Sequence, residues 1–314
     1  MALLALAADA LAFTNRQHGP ASALHDARSA TTSLDMCPIR SFREALELVG
    51  AALPNAIEHA GGTDAIVSIY EQEFGNAECT GFEHPQAWQR SNRTGPGLIV
   101  NAGEGTTGTT CLDAVFTRLG LRAAHFTDDL RRESEWSCTN ASWIDGVDCT
   151  APYDRYDVVS DTPVPNHLPY ILSSHPGSAF AGSLLTVRDP HDWAISRLDG
   201  HPTVLAAVPC GCRVSSIASL PGGARTSVEK CAPLEAPSTS VAGQQRLLIY
   251  DAWAACIVKE AGHFVSILNT FEMSNAELAA RIATDFAGRG AFPPTLTAAQ
   301  VSAAMAEEPE CNGY

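Results

Sequence analysis

The sequence is poor in positive charge. Its 314 residues carry 20 lysines and arginines against 35 aspartates and glutamates, a formal net charge of −15. Such a chain repels a long polyanion, so we expect no nucleic-acid partner. No run approaches the roughly 20 apolar residues of a membrane-spanning helix, which argues against an integral span. The cysteines and histidines lack the paired spacing of zinc sites, and we expect no metal.

The apolar content, 45% of the chain, is enough for a substantial core. Residues 1–30 are interpreted as a leader or as a disordered or helical arm, because "MALLALAADALAF" is apolar but contains Asp9 and has no positive flank. Residues 31–314 are expected to form a single domain. A glycine-, proline- and serine-rich stretch at about 200–244 is interpreted as a crosslinked insertion because it holds three cysteines.

The ten cysteines also indicate the cellular compartment of the protein. Cys138 and Cys149 bracket a loop-like segment, a clustering that favours disulfides. The glycosylation sequons at Asn92 and Asn140 favour a glycoprotein. We therefore expect the secretory lumen, such as the Golgi, or secretion; a cytoplasmic location is the alternative.

Strand and helix signals alternate along the chain. Helical spacing covers residues 38–60, broken at Pro54, and an amphipathic helix is expected over 245–262. The acidic "AEEPE" near the end is expected to be a solvated tail. We predict an α/β fold, a three-layer sandwich with a mainly parallel sheet that binds ligands at the carboxyl ends of its strands. Five strands are predicted at "LIVN", "LRAAHF", "YDVVSD", "GSLLTV" and "HFVSILN".

The first strand leads into a loop typical of anion sites. Its glycines, Gly103, Gly105 and Gly108, allow a tight turn and a close approach to a ligand, and the next helix presents its amides and its positive dipole end. In the nucleotide-binding pattern GxxxxGK[ST], Thr109 stands where lysine is needed, which disfavours an ATP or GTP enzyme. A turn that serves packing alone is the alternative. Hydroxyl donors come from Thr106, Thr107, Thr109 and Thr110.

A second anchor lies in "SLLTVRDPHDWAISR". Arg188 follows the fourth strand and Ser196 lies eight residues later on the next helix, so both can meet one phosphate. With this spacing and the "TTGTT" loop, residues 96–198 and 245–290 resemble the sulfotransferases that use 3'-phosphoadenosine 5'-phosphosulfate (PAPS). The resemblance implies a five-stranded sheet of P-loop-like topology, with Arg188 and Ser196 on the donor's 3'-phosphate. It assigns the 5'-phosphosulfate to Gly105, Thr106, Thr107, Gly108, Thr109 and Thr110.

The chain departs from the family at Thr106. Many members have lysine or arginine there, which steadies the charge on the leaving phosphate. Three alternatives follow. The threonine-rich loop with the helix dipole stabilises this charge without a cation, catalysis is slow, or another part of the chain supplies the cation. Candidates for that cation are Arg122, Arg131 and Arg132.

Sulfuryl transfer also needs a group that takes the acceptor's proton. The family places it near the end of the third strand, where Asp161 falls; a turn-capping role is the alternative for this aspartate. His125 and His167 are reserve bases, and Asp157 is interpreted as structural.

The function expected from the resemblance is transfer of a sulfuryl group from PAPS, as co-substrate, to a hydroxyl of a carbohydrate or small molecule. A P-loop nucleotide kinase or hydrolase is one alternative. A non-catalytic binding module with the sulfotransferase fold is another. The sequence leaves the oligomeric state open.

Overall fold

A computed structural model of the chain describes residues 37–73, 93, 96–125, 151–161, 164–200, 237–286, 289, 297–308 and 311. The expected leader, the sequon asparagines Asn92 and Asn140, Cys138 and Cys149, and most of the expected insertion lie outside these ranges.

Five parallel strands form the sheet, in the order β2-β3-β1-β4-β5. The predicted α/β fold with a parallel sheet is thus confirmed, and the strands fall within the predicted segments except that β4 begins two residues earlier. Their bounds are β1 Leu98–Asn101, β2 Ala123–His125, β3 Val158–Ser160, β4 Phe180–Val187 and β5 Val265–Asn269.

Helices cover both faces of the sheet. The buried side chains divide into two large clusters: α1, α3, α5 and α7 pack on one face, and α4, α8 and α9 on the other. In β1, Leu98 and Val100 join the first cluster and Ile99 the second, as the alternation of side chains along a strand requires. The helices are α1 Ile39–Ala52, α2 Ala56–His59, α3 Thr63–Glu73, α4 Thr109–Arg118, α5 Val164–Ser174, α6 Pro190–Gly200, α7 Val241–Glu260, α8 Asn275–Phe286 and α9 Ala298–Ala306.

Helix α7 differs from the expected amphipathic helix. It begins at Val241, inside the expected insertion, where Ser240 accepts a hydrogen bond from the Gly243 amide at 3.1 Å. Residues 247–258 are all buried, so no solvent face remains over three turns. A helix that is buried all round is a central core element, and here α7 packs against α1 and α3 as well as against β4 and β5.

The acidic segment near the end of the chain is not a free, solvated tail. Arg118 on α4 forms ion pairs with Glu307, at 2.9 Å, and with Glu308. Cys311 forms a disulfide with Cys111 of α4. These contacts join Glu307, Glu308 and Cys311, which follow α9, to helix α4.

The cysteines in the described ranges all form disulfides, Cys111–Cys311 and Cys37–Cys256. The second bond joins the start of α1 to the buried α7, in the middle of the first core cluster. None of the helices described above is long and apolar enough to cross a bilayer.

Candidate functional site

The loop after β1 lies where ligands bind in open parallel sheets. The chain leaves β1 towards β2 on one side and leaves β4 towards β5 on the other, so the neighbouring strands β1 and β4 form the switch point of the sheet. A crevice forms outside the carboxyl ends at such a point. The loop follows β1 and Arg188 follows β4, which brings both predicted anchors to one edge.

The loop is strained at the position where family members carry a cation. Thr106 has φ 69°, a left-handed conformation that a β-branched residue rarely adopts. Its Oγ1 is buried and has no hydrogen-bond partner in the described structure. Strain and an unsatisfied hydroxyl at a glycine-rich turn are typical of a site that a ligand completes.

A buried polar network holds the loop on β4. The Thr107 and Thr186 hydroxyl oxygens lie 2.7 Å apart, and Thr186 Oγ1 donates to Asn101 Oδ1 at 3.1 Å. Gly103 donates from its amide to the same Asn101 oxygen at 3.1 Å. A β-carbon on Gly103 would lie 2.1 Å from Thr186 Oγ1, so only glycine allows this approach.

Arg188 contacts the loop directly. Its Nη1 donates to the carbonyl of Thr106 at 3.2 Å, and its guanidinium lies 4.1 Å from the ring centre of Phe271. Asp189 caps α6: its Oδ1 accepts from the amides of the second and third residues of the helix, at 2.9 and 3.2 Å. Ser196 is half-buried on the same helix.

Asp161 lies at the carboxyl end of β3, with φ 62°. Its Oδ2 is 3.2 Å from His125 Nε2, which in turn is 3.0 Å from the hydroxyl of Thr109 at the start of α4. Burial lowers the pKa of His125, but the hydrogen bond and charge of Asp161, helped by Asp113, outweigh burial and raise this pKa above 6.5. The candidate base is thus hydrogen-bonded to a reserve base that touches the loop.

Arg197 is a site residue that the sequence reading missed. It is only 3% exposed, and its Nη1 would lie 2.7 Å from a β-carbon on Gly105. Trp193, one turn earlier on α6, donates from Nε1 to the Gly105 carbonyl at 3.0 Å. The sequence does contain a signal for this residue: Arg197 lies one turn after Trp193, on the face of α6 that packs against the core.

Two acidic residues near the loop are buried, one of them within the loop itself. Glu104 is 2% exposed, and its Oε2 is 4.0 Å from Arg197 Nη2. Asp251 of α7 is fully buried, and burial together with the charge of Glu104 raises its pKa well above the ordinary value of 3.8. Burial disfavours the charged form of this carboxyl, and the nearby acid Glu104 adds to that effect.

Arg122 is not the missing loop cation. It precedes β2, and its Nη2 lies 2.8 Å from Asp157 Oδ1 at the amino-terminal edge of the sheet, opposite the loop. Arg93 binds the same carboxylate at 2.7 Å, which agrees with the structural role expected for Asp157. Arg131, Arg132 and the side chain of His167 lie outside the described residues.

Fold and loop together define an α/β protein with a candidate anion site at the switch point of a parallel sheet. Residues 98–200 match the family model of the sulfotransferase domain, and the resemblance stated from the sequence is confirmed over this segment. The match covers β1 to β4, the loop, Arg188 and Ser196, and it supports sulfotransfer activity in general. No curated protein and no solved structure was found that matches the chain.

The donor set of the site is suited to anionic groups. Amides, hydroxyls and guanidinium groups surround the loop, and these are the groups that bind phosphate oxygens. Within the ranges that the structure covers, no three histidine, cysteine, aspartate or glutamate side chains are grouped as metal ligands would be.

Proposed function

We propose that the protein transfers a sulfuryl group from PAPS to a hydroxyl of a carbohydrate or small-molecule acceptor. In this proposal Arg188 and Ser196 bind the 3'-phosphate, and residues 105–110 bind the 5'-phosphosulfate. One observation carries the proposal: Arg188 Nη1 lies 3.2 Å from the carbonyl of Thr106, so the two elements that would hold the two ends of one donor meet at the switch point.

The proposed reaction is an in-line displacement at sulfur. The acceptor oxygen forms a bond to sulfur, the bond between sulfur and the bridging oxygen of the 5'-phosphate breaks, and the acceptor's proton passes to Asp161. The products are a sulfate ester and adenosine 3',5'-bisphosphate. Negative charge builds on the bridging oxygen, where the loop amides and the positive end of α4 favour it. This transfer needs no metal ion.

Asp161 is suited to the role of base by its place and its partner. It stands at the same edge of the sheet as the loop, and its Oδ1 would lie 2.6 Å from a β-carbon on Gly105. His125, 3.2 Å away, balances its charge. A carboxylate so held can accept a proton beside the reacting centre.

We propose a lumenal or secreted location. Cys37–Cys256 and Cys111–Cys311 support it, because structural disulfides form and persist in oxidising compartments.

Calorimetric titration tests the donor assignment. We expect the protein to bind adenosine 3',5'-bisphosphate more tightly than 5'-AMP or ATP. Arg188→Ala should weaken the bisphosphate by about 2 to 4 kcal/mol, because the variant leaves a buried phosphate without its charged partner. Arg40→Ala, which removes an exposed arginine of α1, is the control and should leave the affinity unchanged.

The other outcomes identify the alternatives. Preference for ATP would indicate a P-loop kinase or hydrolase. Tight binding of the bisphosphate with no turnover of PAPS on a panel of hydroxyl compounds would indicate a non-catalytic binding module.

A further inference from the structure

The side chain of Arg197 is buried with hydrogen-bonding capacity unused. It is 3% exposed, and neither Nε nor Nη2 has a hydrogen-bond partner among the residues described. The carboxylate oxygen Glu104 Oε2 lies 4.0 Å from Nη2, at the outer limit of an ion pair and too far for a hydrogen bond. Unsatisfied buried donors on a charged group are costly, so their presence calls for a partner.

The guanidinium reaches the anion loop at Gly105. Arg197 Nη1 and Asp161 Oδ1 would lie 2.7 and 2.6 Å from a β-carbon at this position, so both side chains approach the loop at this glycine. Arg197 comes from the β4 side of β1, and Asp161 comes from the β3 side. The bond from Trp193 Nε1 to the Gly105 carbonyl, at 3.0 Å, fixes α6 on the loop and sets this approach.

The loop itself has no cation to offer. Thr106 supplies a neutral hydroxyl, and the nearby His125 is engaged with Asp161. Arg188 contacts the outer side of the loop through the Thr106 carbonyl. Arg197 differs from Thr106 and His125 because it is a permanent charge. It differs from Arg188 because it is only 3% exposed and holds two donor atoms, Nε and Nη2, that no described group uses.

We propose that Arg197 takes the place of the cation missing at Thr106 and binds the 5'-phosphate of the donor. Its guanidinium would donate to that phosphate and stabilise the charge that forms on the bridging oxygen as the bond to sulfur breaks. Glu104 would keep the side chain extended towards the loop. This inference rests on the proposed function, and it adds a catalytic residue that lies outside the loop.

Three nucleotides separate the roles of the two arginines. 5'-AMP has only the 5'-phosphate, 3'-AMP has only the 3'-phosphate, and adenosine 3',5'-bisphosphate has both. By calorimetry we expect Arg197→Met to weaken 5'-AMP and the bisphosphate by about 10- to 100-fold and to leave 3'-AMP unchanged. Arg188→Ala should show the reverse pattern with the two monophosphates.

Turnover with PAPS gives a second readout. Arg197→Met should lower kcat more than it raises KM, because the lost charge acts mainly as the leaving group forms. Arg197→Lys should restore part of kcat. If Arg197→Met folds poorly because Glu104 loses its positive neighbour, the double variant Glu104→Gln/Arg197→Met removes both charges and allows the same titrations.

The titrations distinguish a failure of the inference about Arg197 from a failure of the proposed function. If the wild type binds the three nucleotides but Arg197→Met binds 5'-AMP as tightly as the wild type, the inference about Arg197 is overturned and the proposed function stands. If Arg197→Met loses affinity for 3'-AMP and 5'-AMP equally, Arg197 has a structural role and the inference is overturned. If the wild type binds none of the three, the proposed function and this inference fall together.

Discussion

At the scale of single residues, the contact between His125 and Asp161 joins the candidate base to the anion loop. His125 Nε2 lies 3.2 Å from Asp161 Oδ2 and 3.0 Å from Thr109 Oγ1. Burial lowers the pKa of His125, and Asp161 raises it by more. A protonated imidazole here adds positive charge beside the start of α4, where an anion would bind.

Asp161→Asn should separate these effects. Without the carboxylate charge, burial should dominate and the pKa of His125 should fall; an NMR titration of the ring measures it. The variant should still bind adenosine 3',5'-bisphosphate but turn over PAPS at least about 100-fold more slowly, because the proton acceptor is gone. His263, at the opposite edge of the sheet, is the internal control, since its pKa is lowered by burial alone and should not move.

The same pair affects stability. Because the pKa of His125 is raised on folding, protonation stabilises the wild type fully below pH 6.5, and this gain is lost as the pH rises through the folded-state pKa. In Asp161→Asn this extra stability below pH 6.5 should disappear. An unchanged pH dependence of the free energy of unfolding would contradict the pairing.

At the scale of elements, the turn from the loop into α4 depends on Gly108. Its φ is 90°, and a β-carbon there would lie 2.0 Å from Thr270 Oγ1. Thr270 is held by its own hydrogen bond to the Thr107 carbonyl, at 2.9 Å. Gly120, after the other end of α4, also has a positive φ, 80°, but a β-carbon at this position would meet no atom within 4 Å.

Alanine at these two glycines should therefore have unequal effects. Gly120→Ala should lower the free energy of unfolding by about 1 kcal/mol through backbone strain alone. Gly108→Ala should cost about 2 to 4 kcal/mol, since it adds a clash with Thr270 to the same strain. Urea unfolding of both variants measures the difference, and equal losses would show that the contact with Thr270 is unimportant.

Local signals in the sequence predicted the elements well, whereas the site depends on tertiary contacts. Neighbouring residues determine where helices begin and end: α6 begins at Asp189–Pro190, and α4 ends before Gly120. By contrast, Arg197 on α6 meets Gly105 across more than 90 residues, and no periodicity encodes that approach. The amphipathic character expected for α7 was wrong for the same reason: residues 247–258 are all buried, and α1, from a distant part of the chain, packs against this helix.

At the scale of the whole molecule, the C-terminal region is bound to the helix that follows the anion loop. Cys111 lies in the first turn of α4, and its disulfide to Cys311 anchors α9 beside the second core cluster. Arg118 adds ion pairs at the other end of α4.

Removal of this disulfide should be costly. The double variant Cys111→Ala/Cys311→Ala should lose about 2 to 5 kcal/mol of stability, since the bond closes a very long loop in the unfolded chain. Arg118→Ala should lose about 1 kcal/mol or less, because this side chain is 41% exposed and its ion pairs are screened by water. Denaturant unfolding of both variants under oxidising conditions makes the comparison; equal losses would show that the disulfide adds little.

The two disulfides also constrain how the chain is made. They join residues 219 and 200 positions apart, and each pairs an early cysteine with one near the end. When residue 200 has just been synthesised, Cys37 and Cys111 are both present as thiols, but their partners Cys256 and Cys311 have not been made. Neither native disulfide can therefore form until its distant partner, Cys256 or Cys311, has also been synthesised.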